Sequence, residues 1–165
     1  MHFKVQKTKG NKITCKFFGE CGSCKLYTLS YQQQISNKKS KTEELFKNYI
    51  DNIDLEVYES KQSAFRDRCE FRIWHDGDQI SYGMNSYDKK VVCIDSCEIV
   101  SQKIQELMPK LLKIISTSAI LSQKLFAIEF LSSNSHEDIL VTLIYHKKLD
   151  QSWSNEAKRY LISKM

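Results

Sequence analysis

Asp67-Arg68-Cys69-Glu70-Phe71-Arg72-Ile73-Trp74-His75 alternates from one side chain to the next. Successive residues of a strand point to opposite faces, so Cys69, Phe71 and Ile73 share one face while Arg68, Glu70, Arg72 and Trp74 share the other. Asp76-Gly77-Asp78 then supplies a hairpin turn, with glycine where positive φ costs least. The return strand reads from Gln79 to Asn85, and a second turn near Asp88 leads into Val91-Val92-Cys93-Ile94. These segments predict an antiparallel meander.

Working outward, a helix is expected from about Glu98, with Ile104, Leu107, Met108, Leu111, Leu112 and Ile115 at helical spacing. Pro109 should kink or divide it, because proline lacks the N–H and its ring crowds the preceding turn. Leu125–Leu131 and Ile139–His146 read as two more strands, joined by the polar turn 132–137. A last helix starts near Ser152 and is still running at Met165. Upstream, Leu55–Glu59 reads as a short strand, and a helix is expected from about Ser30 to Asn52. The apolar residues of that first helix gather at its end, at Leu45, Phe46, Tyr49 and Ile50, whereas 36–41 is polar all round. This pattern suits a helix that reaches from one domain onto another. The fold class expected is α+β: an antiparallel sheet packed with helices, preceded by a cysteine-rich loop. Its parts are a basic arm and loop at 1–29, the reaching helix at 30–54, and an α+β domain at 55–165.

The loop is Cys15-Lys16-Phe17-Phe18-Gly19-Glu20-Cys21-Gly22-Ser23-Cys24. Three thiolates this close repel one another unless a cation lies between them, which points to a metal centre. Gly19 and Gly22 let the backbone wrap tightly, with N–H groups free to turn inward onto sulfur. A fourth ligand would come from Cys69, Cys93 or Cys97. Zinc is the competing metal, although its structural sites more often use two C-x2-C pairs or add histidines. Disulfides would require an oxidising compartment. Taken singly, Cys69 and Cys93 read as small buried hydrophobes in their strands.

The chain of 165 residues has 41% hydrophobic and 27% charged residues, as one ordinary globular domain does. No apolar run approaches the ~20 residues needed to span a bilayer, and the N-terminus resembles no export signal. A cytoplasmic protein without a membrane partner is expected. The net charge of +5 is unevenly spread: residues 1–41 hold nine of the 25 basic residues and one of the 20 acids. A lysine-rich arm beside the cysteines suits a polyanionic partner.

Cys15–Cys24, Phe71-Arg72-Ile73-Trp74-His75-Asp76-Gly77-Asp78 and Tyr145-His146-Lys147-Lys148-Leu149-Asp150 together resemble the 5-methyluridine RNA methyltransferases. The last two stretches look most like the tRNA branch, which methylates C5 of a T-loop uridine. The cysteine loop resembles the 23S ribosomal RNA branch, where three such cysteines and a distant one hold a 4Fe–4S cluster. The resemblance implies a cluster on Cys15, Cys21, Cys24 and Cys97, and a T-arm partner met by Arg72, Phe126, His146 and Lys147. By alternation alone Phe126 would be core, with Ile128 and Phe130, and Trp74 could be half-buried core. His75 and Asp76 read as turn residues rather than catalysts.

The family carries a Rossmann-like domain that binds S-adenosylmethionine and supplies a nucleophilic cysteine and a glutamate base. No Gly-rich cofactor loop follows a strand here, and no Asp-Pro-Pro-Arg or Ser-Cys-Asn-Pro stretch is present. No residue of the chain is therefore assigned to catalysis or to the methyl donor. The chain is expected to be the RNA-recognition and cluster-binding N-terminal portion of such an enzyme, inactive alone. The equivalent part of a 23S rRNA enzyme, and an iron–sulfur or zinc module that binds no RNA, are the alternatives.

Overall fold

The computed structural model describes residues 15–49, 55–133 and 138–162. The arm at 1–14, the end of the first expected helix and the tip of the 132–137 turn lie outside them. Strands β1 (Arg68–Asp76), β2 (Gln79–Asn85), β3 (Val91–Ile94), β4 (Leu125–Ser132) and β5 (Ile139–Tyr145) form one sheet of order β3-β2-β1-β4-β5. Every neighbouring pair is antiparallel. The α+β class expected from sequence is the one observed.

One face of the sheet is covered. Helix α2 (Gln102–Ser116) buries Ile104, Met108, Leu111 and Ile115, a spacing of four, three and four that keeps them on one side. Beneath it Phe71, Tyr82 and Phe130 pack ring against ring, with centroids 5.5 to 6.3 Å apart. The short α3 (Ala119–Ser122) and α4 (Gln151–Ala157), which runs on as a π-helical stretch Lys158–Ile162, complete the helical layer. The opposite face of the sheet carries Arg72, Trp74, Gly83, Val91 and Phe126, and among the described residues no helix covers it.

Three sequence readings are corrected. Helix α2 begins at Gln102 rather than Glu98, and Pro109 sits inside it without dividing it. Tyr82 reaches across from β2 and donates its hydroxyl to the Met108 carbonyl at 2.9 Å, a buried bond in the turn just ahead of the proline. Leu55–Glu59 forms no strand: the sheet ends at β3 and β5, and this mostly exposed segment has no ladder to join. The last helix starts at Gln151, next to the Ser152 expected from sequence, and is capped by the Asp150 side chain.

Helix α1 (Tyr31–Phe46) is capped by a reciprocal pair: Ser30 accepts from the Gln33 N–H while the Gln33 side chain accepts from the Ser30 N–H. It buries no residue. Tyr31 pins its start to the backbone of Ser60, and Leu45, Phe46 and Tyr49 are exposed beyond its middle.

Candidate nucleic-acid interface and thiol cavity

Two sites emerge, one on the open face of the sheet and one where the cysteine loop meets its edge. On the open face the decisive event is a break in register. Leu125 pairs with Tyr145 and Ala127 pairs with Ile144, so Phe126 is an extra residue bulged out of β4. A bulge shifts the alternation by one. Leu125 therefore faces the core while Ile128 and Phe130 do too, and Phe126 is thrown to the other side. This overturns the core placement that alternation gives it. Its ring stacks on His146, centroids 4.0 Å apart and planes 19° from parallel. The Arg72 guanidinium lies 5.6 Å from the same ring.

Neighbouring groups hold the bulge. Register pairs β1 with β4 only as far as Arg72 and Ala127. Beyond that point His75 turns its ring to the Leu125 carbonyl, Nε2 donating at 2.8 Å. The His146 N–H donates to the Lys124 carbonyl at 3.0 Å, and Lys124 itself has φ of 56°. His75 is thus a structural donor at the strand end. Lys147 turns the other way from His146. Its Nζ donates to the Ile120 carbonyl at 2.9 Å and lies 5.5 Å from the Tyr145 ring, toward the helices. Trp74 stands out from the sheet, 48% exposed, rather than half-buried in core.

At the other site Cys15, Cys21, Cys24 and Cys97 line a single cavity of about 100 Å³. Cys69 lines it as well, from the core face of β1. Cys93 does not: it is exposed, which corrects its reading as a buried thiol. The cause is parity, since Cys93 pairs with Gly83 on the open face while Val92 and Ile94 turn inward. Burial, with Cys97, Cys21 and Cys15 nearby, pushes the Cys24 thiol up to about 11, against the opposing pull of Arg66. Cys69 is pushed up to about 12, by burial first and Cys97 second. Among the described residues no three His, Cys, Asp or Glu side chains converge as ligands of one ion would.

The loop is bound to the sheet by its own contacts. Gly22 donates its N–H to the Asn85 carbonyl at 2.9 Å, so this amide faces the β2–β3 turn and not the cavity. The approach is close: a Cβ at Gly22 would meet the Asn85 oxygen at 3.0 Å and the Tyr87 nitrogen at 3.1 Å. Tyr87 donates to the Cys24 carbonyl, Tyr27 to Glu98, and Lys16 pairs with Asp95. On the far side, segment 64–66 runs beside 98–101, with the Arg66 N–H on the Ile99 carbonyl. Among the described residues that line the cavity, Arg66 is the one cation.

The molecule is therefore an α+β domain with an aromatic–guanidinium stack on its open sheet face and a thiol-lined cavity at one edge. The tRNA (uracil-5-)-methyltransferase family model matches residues 30–164, and the chain belongs to that family. The cysteine loop lies ahead of the matched range. The chain is 46% identical over 151 residues to a tRNA/tmRNA (uracil-C(5))-methyltransferase of Aliarcobacter butzleri, covering 88% of this chain and 40% of that protein. It is 44% identical to the corresponding protein of Sulfurovum sp., covering 88% and 39%. The chain thus spans about 40% of the length of these relatives. Among solved structures, Pyrococcus abyssi tRNA (uracil-54, C5)-methyltransferase in complex with S-adenosyl-L-homocysteine superposes with a TM-score of 0.62. That match has 21% identity and covers 83% of this chain and 34% of the other, so it bears on the fold. Among the described residues no helix is long and apolar enough to cross a membrane.

Proposed function

We propose that this chain is the RNA-recognition and cluster-binding portion of a tRNA uridine C5-methyltransferase, with the T-arm as its target. The observation that carries the reading is the Arg72–Phe126–His146 stack on the open face. Proteins read RNA loops through unstacked bases laid on aromatic rings and guanidinium planes, and an enzyme that acts on a base must take it out of its stack. Lys148, exposed at the same strand end, adds positive charge for the phosphates, whereas Lys147 is held toward the helices by the Ile120 carbonyl. In the whole enzyme a separate domain would supply the nucleophilic thiolate that adds to C6 of uracil, the base that removes the C5 proton, and S-adenosylmethionine. This chain binds and does not methylate by itself. Helix α1 leaves Leu45, Phe46 and Tyr49 exposed, and that apolar end suits docking onto the catalytic domain.

The thiol cavity fits a 4Fe–4S cluster on Cys15, Cys21, Cys24 and Cys97. All four line it, yet they do not converge on one point. A 4Fe–4S cluster takes thiolates set around a body, and zinc, the competing metal, takes four tetrahedral donors. A bound cluster would supply a covalent tie between the cysteine loop and the segment after β3. Arg66 would offset the negative charge of the thiolates.

The test of function is binding of this chain to a T-arm hairpin RNA and to a scrambled hairpin of equal length. Tighter binding to the T-arm, lost in Arg72→Ala, is the expected result. Equal affinity for the two hairpins would overturn the reading.

A further inference from the structure

The open face also holds a hollow that the stack only borders. Across the sheet one row of paired residues reads Cys93, Gly83, Arg72, Ala127, Ile144. Small residues flank Arg72 on both sides. On the Ala127 side the space is taken, for Ala127 is fully buried beneath its surroundings. On the Gly83 side it is not. There a cavity of about 190 Å³ is bounded by Trp74, Val91, Asn85, Phe126 and the Arg72 side chain, with Gly83 as its floor. Trp74 and Val91, 48% and 41% exposed, are apolar walls open to solvent.

The glycine makes the hollow. A Cβ at Gly83 would stand 3.3 Å from the Val91 methyl, 3.6 Å from the Arg72 carbonyl oxygen and 3.6 Å from the Trp74 Cβ. It would occupy the floor between the walls without striking backbone. Its nearest contact is the end of an exposed side chain that can rotate away.

We infer that this hollow receives one unpaired nucleobase of the bound RNA, a second base position beside the Phe126–His146 stack. The inference rests on the RNA reading given above. Its chemistry is that of a base slot: an indole and a phenyl ring for the faces of the base, a guanidinium that can stack or meet phosphate, and an amide at the rim. Lys89 and Lys90 precede Val91 in the adjoining turn and are exposed, which places positive charge where the flanking phosphates would lie. A neutral apolar occupant would bring no negative charge to Lys89, Lys90 and the Arg72 guanidinium.

The experiment measures binding of the 165-residue chain to the T-arm hairpin and to a panel of the same hairpin, each member carrying one abasic loop position. One abasic position should weaken binding by the unaltered chain roughly 5- to 150-fold, the effect of one lost base stack. Gly83→Ala, which fills the floor, should weaken binding to the intact hairpin and make that same abasic position silent. Trp74→Ala, a change to an exposed side chain, should do likewise while leaving the melting temperature near that of the unaltered chain. Intact-hairpin binding unchanged in both variants overturns the base slot and leaves the RNA reading standing. So do losses that simply add at every abasic position. An unaltered chain that does not prefer the T-arm over the scrambled hairpin overturns the RNA reading, and the slot with it.

Discussion

Phe126 and Phe130 stand four residues apart in one strand and share the same parity, yet they do opposite things. Phe130 is fully buried against Phe71 and Tyr82; Phe126 is half-buried on the other face, between Arg72 and His146. Truncating a buried phenylalanine costs roughly 3–5 kcal/mol, so Phe130→Ala should show a large fall in denaturant midpoint or fail to fold. Phe126→Ala should keep most of its stability. It should instead lose roughly 1–3 kcal/mol of T-arm binding, as for one aromatic–base stack, and scarcely change its affinity for a scrambled hairpin. Urea unfolding and hairpin titration of the same two variants check both halves. If Phe126→Ala unfolds like Phe130→Ala, the ring is packing and not reading.

Within single elements, polar groups decide where helices start and tie α2 to the sheet. Tyr82 is fully buried, and its hydroxyl has the Met108 carbonyl as its partner. Burial pushes its phenol well above the usual range, so it stays a neutral donor. Tyr82→Phe should lower stability by about 1 kcal/mol, the net worth of one hydrogen bond, with the α2 helix content by circular dichroism unchanged. At α4, hydrogen bonds from the Ser152 hydroxyl and the Trp153 N–H hold the Asp150 carboxyl below its ordinary value. A group whose folded pKa is depressed stabilises fully above its unfolded pKa, about 3.9 for aspartate, and loses that contribution as pH falls through the folded value. The α4 end should therefore be held near neutrality and loosen below about pH 4. In Asp150→Asn, which keeps a capping oxygen without the titrating charge, amide exchange at Trp153 should show less dependence on acid than in the unaltered chain.

For the whole molecule the question is what joins the cysteine loop to the sheet. Residues 15–29 contribute Phe17 to the margin of the core, and Gly22, Tyr27, Lys16 and Cys24 contact the β2–β3 turn and the segment after β3. Anaerobically prepared protein should contain iron and acid-labile sulfide. Both should be lost in Cys97→Ser and retained in Cys93→Ser, since Cys97 lines the cavity and Cys93 stands outside it. Removal of the cluster should raise amide exchange in the loop and around Cys97 while β1 and β4 stay protected. Stoichiometric zinc without sulfide would remove the cluster assignment. Retention in Cys97→Ser with loss in Cys69→Ser would move the fourth ligand to Cys69, which lines the same cavity.

The sequence by itself determined the class of fold, because the period of two in 68–76 and the helical spacing of Ile104, Met108, Leu111 and Ile115 are local facts that need no partner. It determined the family too, through contiguous stretches such as Phe71–Asp78, where spacing and identity are read together. The tertiary structure alone decided which face Phe126 occupies. A bulge is a relation between two strands, set where Leu125 meets Tyr145 and Ala127 meets Ile144, and alternation along one strand carries no trace of it. The same holds for the absence of a strand at 55–59 and for the exposure of Cys93, each settled by what lies beside the segment and not by its composition. The meeting of Cys15, Cys21, Cys24 and Cys97 around one cavity is of this kind as well: their spacing suggested a shared ligand, but only the packing of a loop against a distant turn brings the fourth thiol to the other three.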